Sequence, residues 1–259
     1  MENSIFFNHV LRGLGFQVYT AGAKIRHRVG GVPEGDYIGW VHLVNVVVLK
    51  EKDPKTGEIV KRKYALDVSF GGDGPRCPLP MAVDGPGHST AITKNIGTQE
   101  LRLIHDFIPS QIHRSEEDCA QKMWIYQYRN RPELPWNSFY AFPEFEFTEQ
   151  DFHVMNWYTG SHPESFQTFT VLVVRFLKKP AEPDAEIGEK RGEICGKVMM
   201  VNGEVKQNLG GRTEIIKTCK NEEERVAALK EYFDIKLAQE EIDSIKGRVT
   251  ELREAALTA

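Results

Sequence analysis

Cysteine is scarce in this chain, and what there is of it is scattered. Four residues, Cys77, Cys119, Cys195 and Cys219, are spread over 259 positions with no CxxC pair. That spacing excludes a disulfide framework and a Cys-based zinc site, and fits reduced thiols. Long apolar runs are missing as well. No stretch approaches the ~18 uninterrupted apolar residues that a membrane helix needs, and Glu2 and Asn3 near the start do not read as a signal peptide. No Asn-x-Ser/Thr acceptor occurs, and the expectation is a cytoplasmic protein without membrane contact. A basic surplus is also lacking: 33 Lys and Arg stand against 37 Asp and Glu, for a net charge of −4. This argues against a nucleic-acid partner. The eight histidines include no HExxH spacing, so no metal site is expected.

What is present suits a soluble globular protein, with 41% hydrophobic and 27% charged residues. The expected class is α+β, in three parts: residues 1–15 as a helix remnant, 16–147 as a β-barrel, and 148–259 as an α/β lid. Phe6, Phe7, Val10, Leu11 and Leu14 fall on one helical face, and Gly15 is placed to end that helix. Strand-like segments follow at 16–25, 41–49, 59–70, 101–108, 123–128 and 139–147, separated by Gly and Pro clusters. Thr148 is placed to cap a helix running to about Tyr158. Further on come a strand at 168–177, a Pro/Glu/Gly loop at 178–191, and a hairpin turning on Asn202-Gly203. Helices are expected at 222–233 and 238–257.

Two of these strands carry a pair of polar residues that belong together. His42 lies in Val41-His42-Leu43-Val44-Asn45-Val46, apolar on both faces, and Asp67 lies in Tyr64-Ala65-Leu66-Asp67-Val68. A buried carboxylate needs a partner. The intervening Asp53-Pro54-Lys55-Thr56-Gly57 suits a tight turn. Centred between Pro54 and Lys55, that turn sets His42 directly opposite Asp67 on one face of the hairpin. A register longer by one residue would put them on opposite faces. An Asp that orients a His forms the rear half of a nucleophile triad, although such a pair also occurs simply to close a sheet.

These residues bear a family resemblance. Met1-Glu2-Asn3, Val41-His42-Leu43, and Leu66-Asp67-Val68-Ser69-Phe70-Gly71-Gly72 are similar in order and spacing to the arylamine N-acetyltransferase family. So are Asp151-Phe152, Met155-Asn156, Ser161, Pro163 and Ser165-Phe166, and the C-terminal Tyr232-Phe233-Asp234-Ile235 resembles its lid. The long His-to-Asp hairpin resembles fungal members. The resemblance implies a cysteine-protease-like fold and a Cys–His–Asp triad, with xenobiotic metabolism as the setting. The thiol takes an acyl group from acetyl-CoA or malonyl-CoA and passes it to an arylamine or hydrazine. His42 and Asp67 match the family's His and Asp. Phe70, Gly71 and Gly72 match the loop beside the acceptor pocket, where Ser69 replaces a usual Gly, and Ser165 and Thr168 (with Thr170) match hydroxyls that meet coenzyme A. The family's Cys would fall directly before Met1, so the chain is expected to lack the nucleophile and the helical domain around it. Two other functions stay open: a non-catalytic fragment that keeps the cleft as a binding or regulatory module, and a hydrolase using Cys77.

Overall fold

The computed structural model describes residues 1–53, 55–83, 88–179, 194–210 and 212–253. The chain divides into two compact units, Met1–Thr159 and Gly160–Ala259.

The first unit starts with helix α1, Glu2–Gly13. Strands β1 (Gln17–Val29) and β2 (Val32–Lys52) then form one long hairpin. They run further than the sequence pattern suggests because Gly30 and Gly31 both take positive φ, 59° and 89°, which closes the hairpin in two residues. Next come β3 (Ile59–Leu66), the short β4 (Leu79–Pro80) and β5 (Thr93–Lys94), β6 (Glu100–Asp106), β7 (Met123–Arg129) and β8 (Asn137–Phe142). Helix α2, Glu149–Ser161, begins where the Asp151 carboxylate accepts from both the N–H and the hydroxyl of Thr148. The eight strands form one antiparallel sheet in the order β4-β3-β2-β1-β8-β7-β6-β5. It curls until β4 meets β6, giving a barrel-like, nearly closed wall.

The apolar run in β2 is explained by burial on both faces. Val44 and Val46 point into the inner core with Ala21, Ala23, Leu101, Leu103, Tyr126 and Phe142. Leu43 points the other way, against Phe147, Phe152, Met155, Met1 and Ile5. Gly22, paired with Leu43, has no room for a side chain, because a Cβ there would overlap the Phe147 ring.

Helix α1 leaves its apolar face partly uncovered. Its buried residues are Ser4, Asn8 and Leu11, whereas Phe6 and Leu14 are each 70% exposed and Val10 is exposed too. The cause is a set of buried hydrogen bonds. Asn8 Nδ2 donates to Asn45 Oδ1 at 2.9 Å, and Asn45 Nδ2 donates to the Ser4 carbonyl at 3.0 Å. Asn45 is fully buried in β2, and satisfying its amide turns the polar stripe of the helix inward.

The second unit holds a short helical turn α3 (Phe166–Phe169) and strands β9 (Leu172–Lys178), β10 (Ile194–Val201), β11 (Glu204–Asn208) and β12 (Thr213–Thr218). They form an antiparallel sheet in the order β12-β11-β10-β9. Asn202 takes φ 53° in the β10–β11 turn, the conformation expected for Asn-Gly. Helix α4, Glu222–Phe233, is capped by Asn221 Oδ1, which accepts from Glu224 N–H at 2.9 Å. It covers Val198, Met200 and Val205 with Ala228, Leu229 and Phe233. The helix expected at 238–257 is only α5, Gln239–Asp243, followed by turns through Gly247 at φ 78°. Residues 254–257 of it lie outside the described residues, as does most of the 178–191 loop.

Among the described residues no helix is long and apolar enough to cross a membrane.

Candidate active site

His42 sits on β2 opposite Ala23 and so faces the inner core. Asp67 is the first residue past β3. Its position corrects the expected register. The strands pair Asn45 with Leu66 and Lys52 with Ile59, so one further step sets Asp67 level with Val44 instead of His42. The turn is longer because Asp53 reorganises it: Asp53 Oδ1 accepts from the N–H groups of Lys55 (2.8 Å) and Thr56 (3.1 Å), and Gly57 takes φ 75°. Pro54 itself lies outside the described residues. A slip of two residues is even, so His42 and Asp67 stay on one face and meet on the diagonal.

They meet closely. His42 Nε2 lies 2.6 Å from Asp67 Oδ2, and the two side chains are 9% and 1% exposed. A carboxylate only accepts, so Nε2 carries the proton and donates, leaving Nδ1 as the nitrogen that can take one up. The second carboxylate oxygen, Oδ1, accepts from Ser69 N–H at 3.1 Å, which fixes the carboxylate plane. Ser69 Oγ shares a hydrogen with Ser4 Oγ at 2.7 Å, tying the first turn of α1 to the loop that carries Asp67.

Aromatic rings close the site. Phe70 packs 5.1 Å from His42, 4.8 Å from Tyr140 and 4.5 Å from Phe139, centroid to centroid. Tyr140 lies 5.6 Å from His42 and stacks flat on Tyr126 at 4.6 Å. The Tyr140 hydroxyl is buried beside the Asp67 carboxylate. Burial first, and then the nearby Asp67 charge, push its phenol well above the usual range. Gly71 takes φ 95°, a backbone conformation that suits glycine, and its carbonyl accepts from Gly74 N–H at 3.0 Å. Gly72 follows in the same loop.

Ser165 and Thr168 belong to the second unit. Ser165 is buried before α3, and the Thr168 hydroxyl donates locally, to the carbonyls of Ser165 (2.7 Å) and His162 (3.1 Å). Of the thiols, Cys219 is buried and Cys119 exposed, and burial pushes Cys77 up. Among the described residues no group of three or more His, Cys, Asp or Glu side chains converges as a metal site would require.

Ser4, Asn8, Asn45 and Tyr140 were not singled out from the sequence. A signal existed for the first three: Ser4, Asn8 and Leu11 share a helical stripe, and Asn45 interrupts a run of valines. Tyr140 had none, because β8 is brought to β1 only by the sheet order.

The fold has solved counterparts. The arylamine N-acetyltransferase from Mycobacterium abscessus matches with TM-score 0.68 at 17% identity, over 95% of this chain and 70% of that one. The Mycobacterium marinum arylamine N-acetyltransferase in complex with CoA matches at 0.58 and 18%, over 88% of this chain and 65% of that one. These share the fold of this chain. The family model described as N-acetyltransferase matches residues 1–182, and the chain belongs to that family, the arylamine N-acetyltransferases. It is 30% identical over 254 residues to the N-malonyltransferase FDB2 of Gibberella moniliformis, covering 95% of this chain. The chain spans 66% of the length of that relative.

Proposed function

We propose that this chain carries the base and cleft of an acyl-CoA-dependent N-acyltransferase. The observation that carries the reading is the 2.6 Å His42–Asp67 contact, which leaves Nδ1 free of Asp67 to act as a base. In this reading His42 Nδ1 takes the proton from a cysteine thiol, and the thiolate attacks the thioester carbonyl. Coenzyme A leaves as its thiolate and takes the proton back from the imidazolium. An arylamine or hydrazine nitrogen then attacks the acyl-enzyme and gives its proton to His42, and the cysteine departs as thiolate. Asp67 holds the tautomer and stabilises the imidazolium in both halves. Phe70, Gly71 and Gly72 line the acceptor side, and Ser165 and Thr168 serve coenzyme A.

None of the four cysteines suits the role. Burial works against thiolate formation at Cys77. A cysteine directly before Met1 suits it better. The Ser4–Ser69 bond holds the first turn of α1 beside the Asp67 loop, and a thiol at a helix N-terminus ionises more readily. The donor is acetyl- or malonyl-CoA, and the name of the fungal relative favours malonyl.

Intact-protein mass spectrometry after incubation with each acyl-CoA tests the proposal. The chain as given should stay unmodified. A version with one cysteine added before Met1 should take one acyl group, and His42→Gln should abolish this. Acylation of the chain as given, mapped to Cys77 and lost in Cys77→Ala, would overturn the assignment of the thiol. If the extended version stays inert and both forms bind coenzyme A, the chain is a binding module.

A further inference from the structure

Three residues past Phe70, the loop is held with unusual thoroughness. The Asp73 carboxylate pairs with the Arg28 guanidinium, which also donates to the Gly31 carbonyl at 2.7 Å. The Asp73 main-chain carbonyl accepts from the buried Tyr126 hydroxyl at 2.6 Å, and Asp73 Oδ1 accepts from Gln99 Nε2 at 3.4 Å. The next residue, Gly74, folds back so tightly that a Cβ there would lie 3.2 Å from Phe70 Cβ. Strand β1 and strand β7, together with the turn before β6, thus grip one short segment.

The grip also reaches Phe70 from its far side. The Arg28 guanidinium lies 4.5 Å over the Phe139 ring, Phe139 packs edge-on against Phe70, and Phe70 packs against His42. Arg28 is therefore linked to Phe70 by two routes, through the loop at Asp73 and through Phe139. An ion pair whose only task was to close a surface loop would need neither the aromatic bridge nor the buried carbonyl bond.

We infer that the Arg28–Asp73 pair is a positioning device that holds the Phe70 ring against the His42–Asp67 pair and shields their hydrogen bond from water. It deepens the acyl-transfer reading, on which it rests for its purpose: a sheltered imidazole at the place where the thiol and the acceptor meet. Arg28 and Asp73 are positioning residues that act through Phe70.

The test reads the site without any acyl group. In the full chain, the solvent exchange rate of the His42 Nε2–H proton is measured by NMR. Phe70→Ala should raise it by about tenfold, as expected when a local cover opens. Arg28→Gln, at a partly exposed side chain, should raise it comparably, and Arg28→Lys, which keeps the charge, should restore most of the protection. Arg28→Gln added to Phe70→Ala should give no further rise. An unchanged rate in Arg28→Gln, or a full tenfold rise on top of Phe70→Ala, overturns the inference. Because no thiol or acyl group is involved, failure of the acylation experiment leaves this result standing, and the reverse holds as well.

Discussion

Replacing Asp67 by Asn removes one charge and almost no volume, which makes it the sharpest probe of the site. Asp67 uses both oxygens: Oδ2 accepts from His42 Nε2–H at 2.6 Å and Oδ1 accepts from Ser69 N–H at 3.1 Å. An asparagine has one oxygen and one amide nitrogen, so it can satisfy only one donor. If its oxygen stays on Ser69, the NH₂ faces Nε2 and the imidazole must shift its proton to Nδ1. If its oxygen turns to His42, the NH₂ meets the Ser69 N–H and that bond is lost. The first arrangement keeps both contacts and should prevail. Stability then changes by no more than the difference between a charged and a neutral hydrogen bond, about 1–2 kcal/mol. The chemical cost is far larger, because Nδ1 no longer offers a lone pair and the imidazolium loses its counter-charge. Acyl-enzyme formation in a thiol-bearing version should fall by about ten-thousand-fold, the scale known for the same change in serine hydrolases. Two-bond ¹⁵N–¹H correlation spectra of His42 report the tautomer directly in the chain as given. A proton still on Nε2 in Asp67→Asn, or acylation within a few-fold of the parent, would refute the reasoning.

Other perturbations test the surroundings. Asn45→Leu should strand the Asn8 amide, at about 1–3 kcal/mol; thermal melts should show the loss, and trypsin should cut faster at Arg12. Tyr140→Phe removes a buried hydroxyl that faces the Asp67 carboxylate, so the melting temperature should fall by a few degrees; an unchanged or higher value would mean that the hydroxyl gives Asp67 no support. At Glu144, burial would raise the pKa, but the Lys63 ammonium and the Trp124 indole N–H together hold it below its usual value of 4.5. The unfolded chain therefore binds its proton first as pH falls, so stability present at neutral pH drains away below about pH 4.5. Glu144→Gln should flatten that acid limb in urea titrations across pH 3 to 6. Iodoacetamide should label exposed Cys119 well before Cys77, whose thiol is pushed up by burial.

The pair at the centre was legible because each member is a charged or polar residue in an apolar strand, a placement that demands a partner. Its register was off by two residues, since the Asp53 side chain enlarges the turn through bonds that no strand pattern reveals. The pair survived the error because the slip was even. In α1 the apolar face of Phe6, Phe7, Val10, Leu11 and Leu14 was legible from its spacing, whereas the inward polar stripe of Ser4 and Asn8 depends on Asn45, far along the chain. Tyr140 and the Arg28–Asp73 pair depend on β8 and on the loop after β3 arriving beside β1, and only the tertiary sheet order brings that about. In the second unit the Asn202-Gly203 hairpin was legible from two residues, whereas the last helix was overextended across Gly247.

The way α1 is fastened also sets its response to temperature. Apolar contacts lose strength on cooling, because the water they release matters less in the cold. Much of the attachment of α1 consists instead of directional bonds from Ser4, Asn8 and Asn45, buried where water does not compete. Near freezing, the ring cluster around Phe70 should loosen before the helix does. The first turn of α1 therefore keeps its place beside Asp67 in conditions where the aromatic wall has begun to breathe.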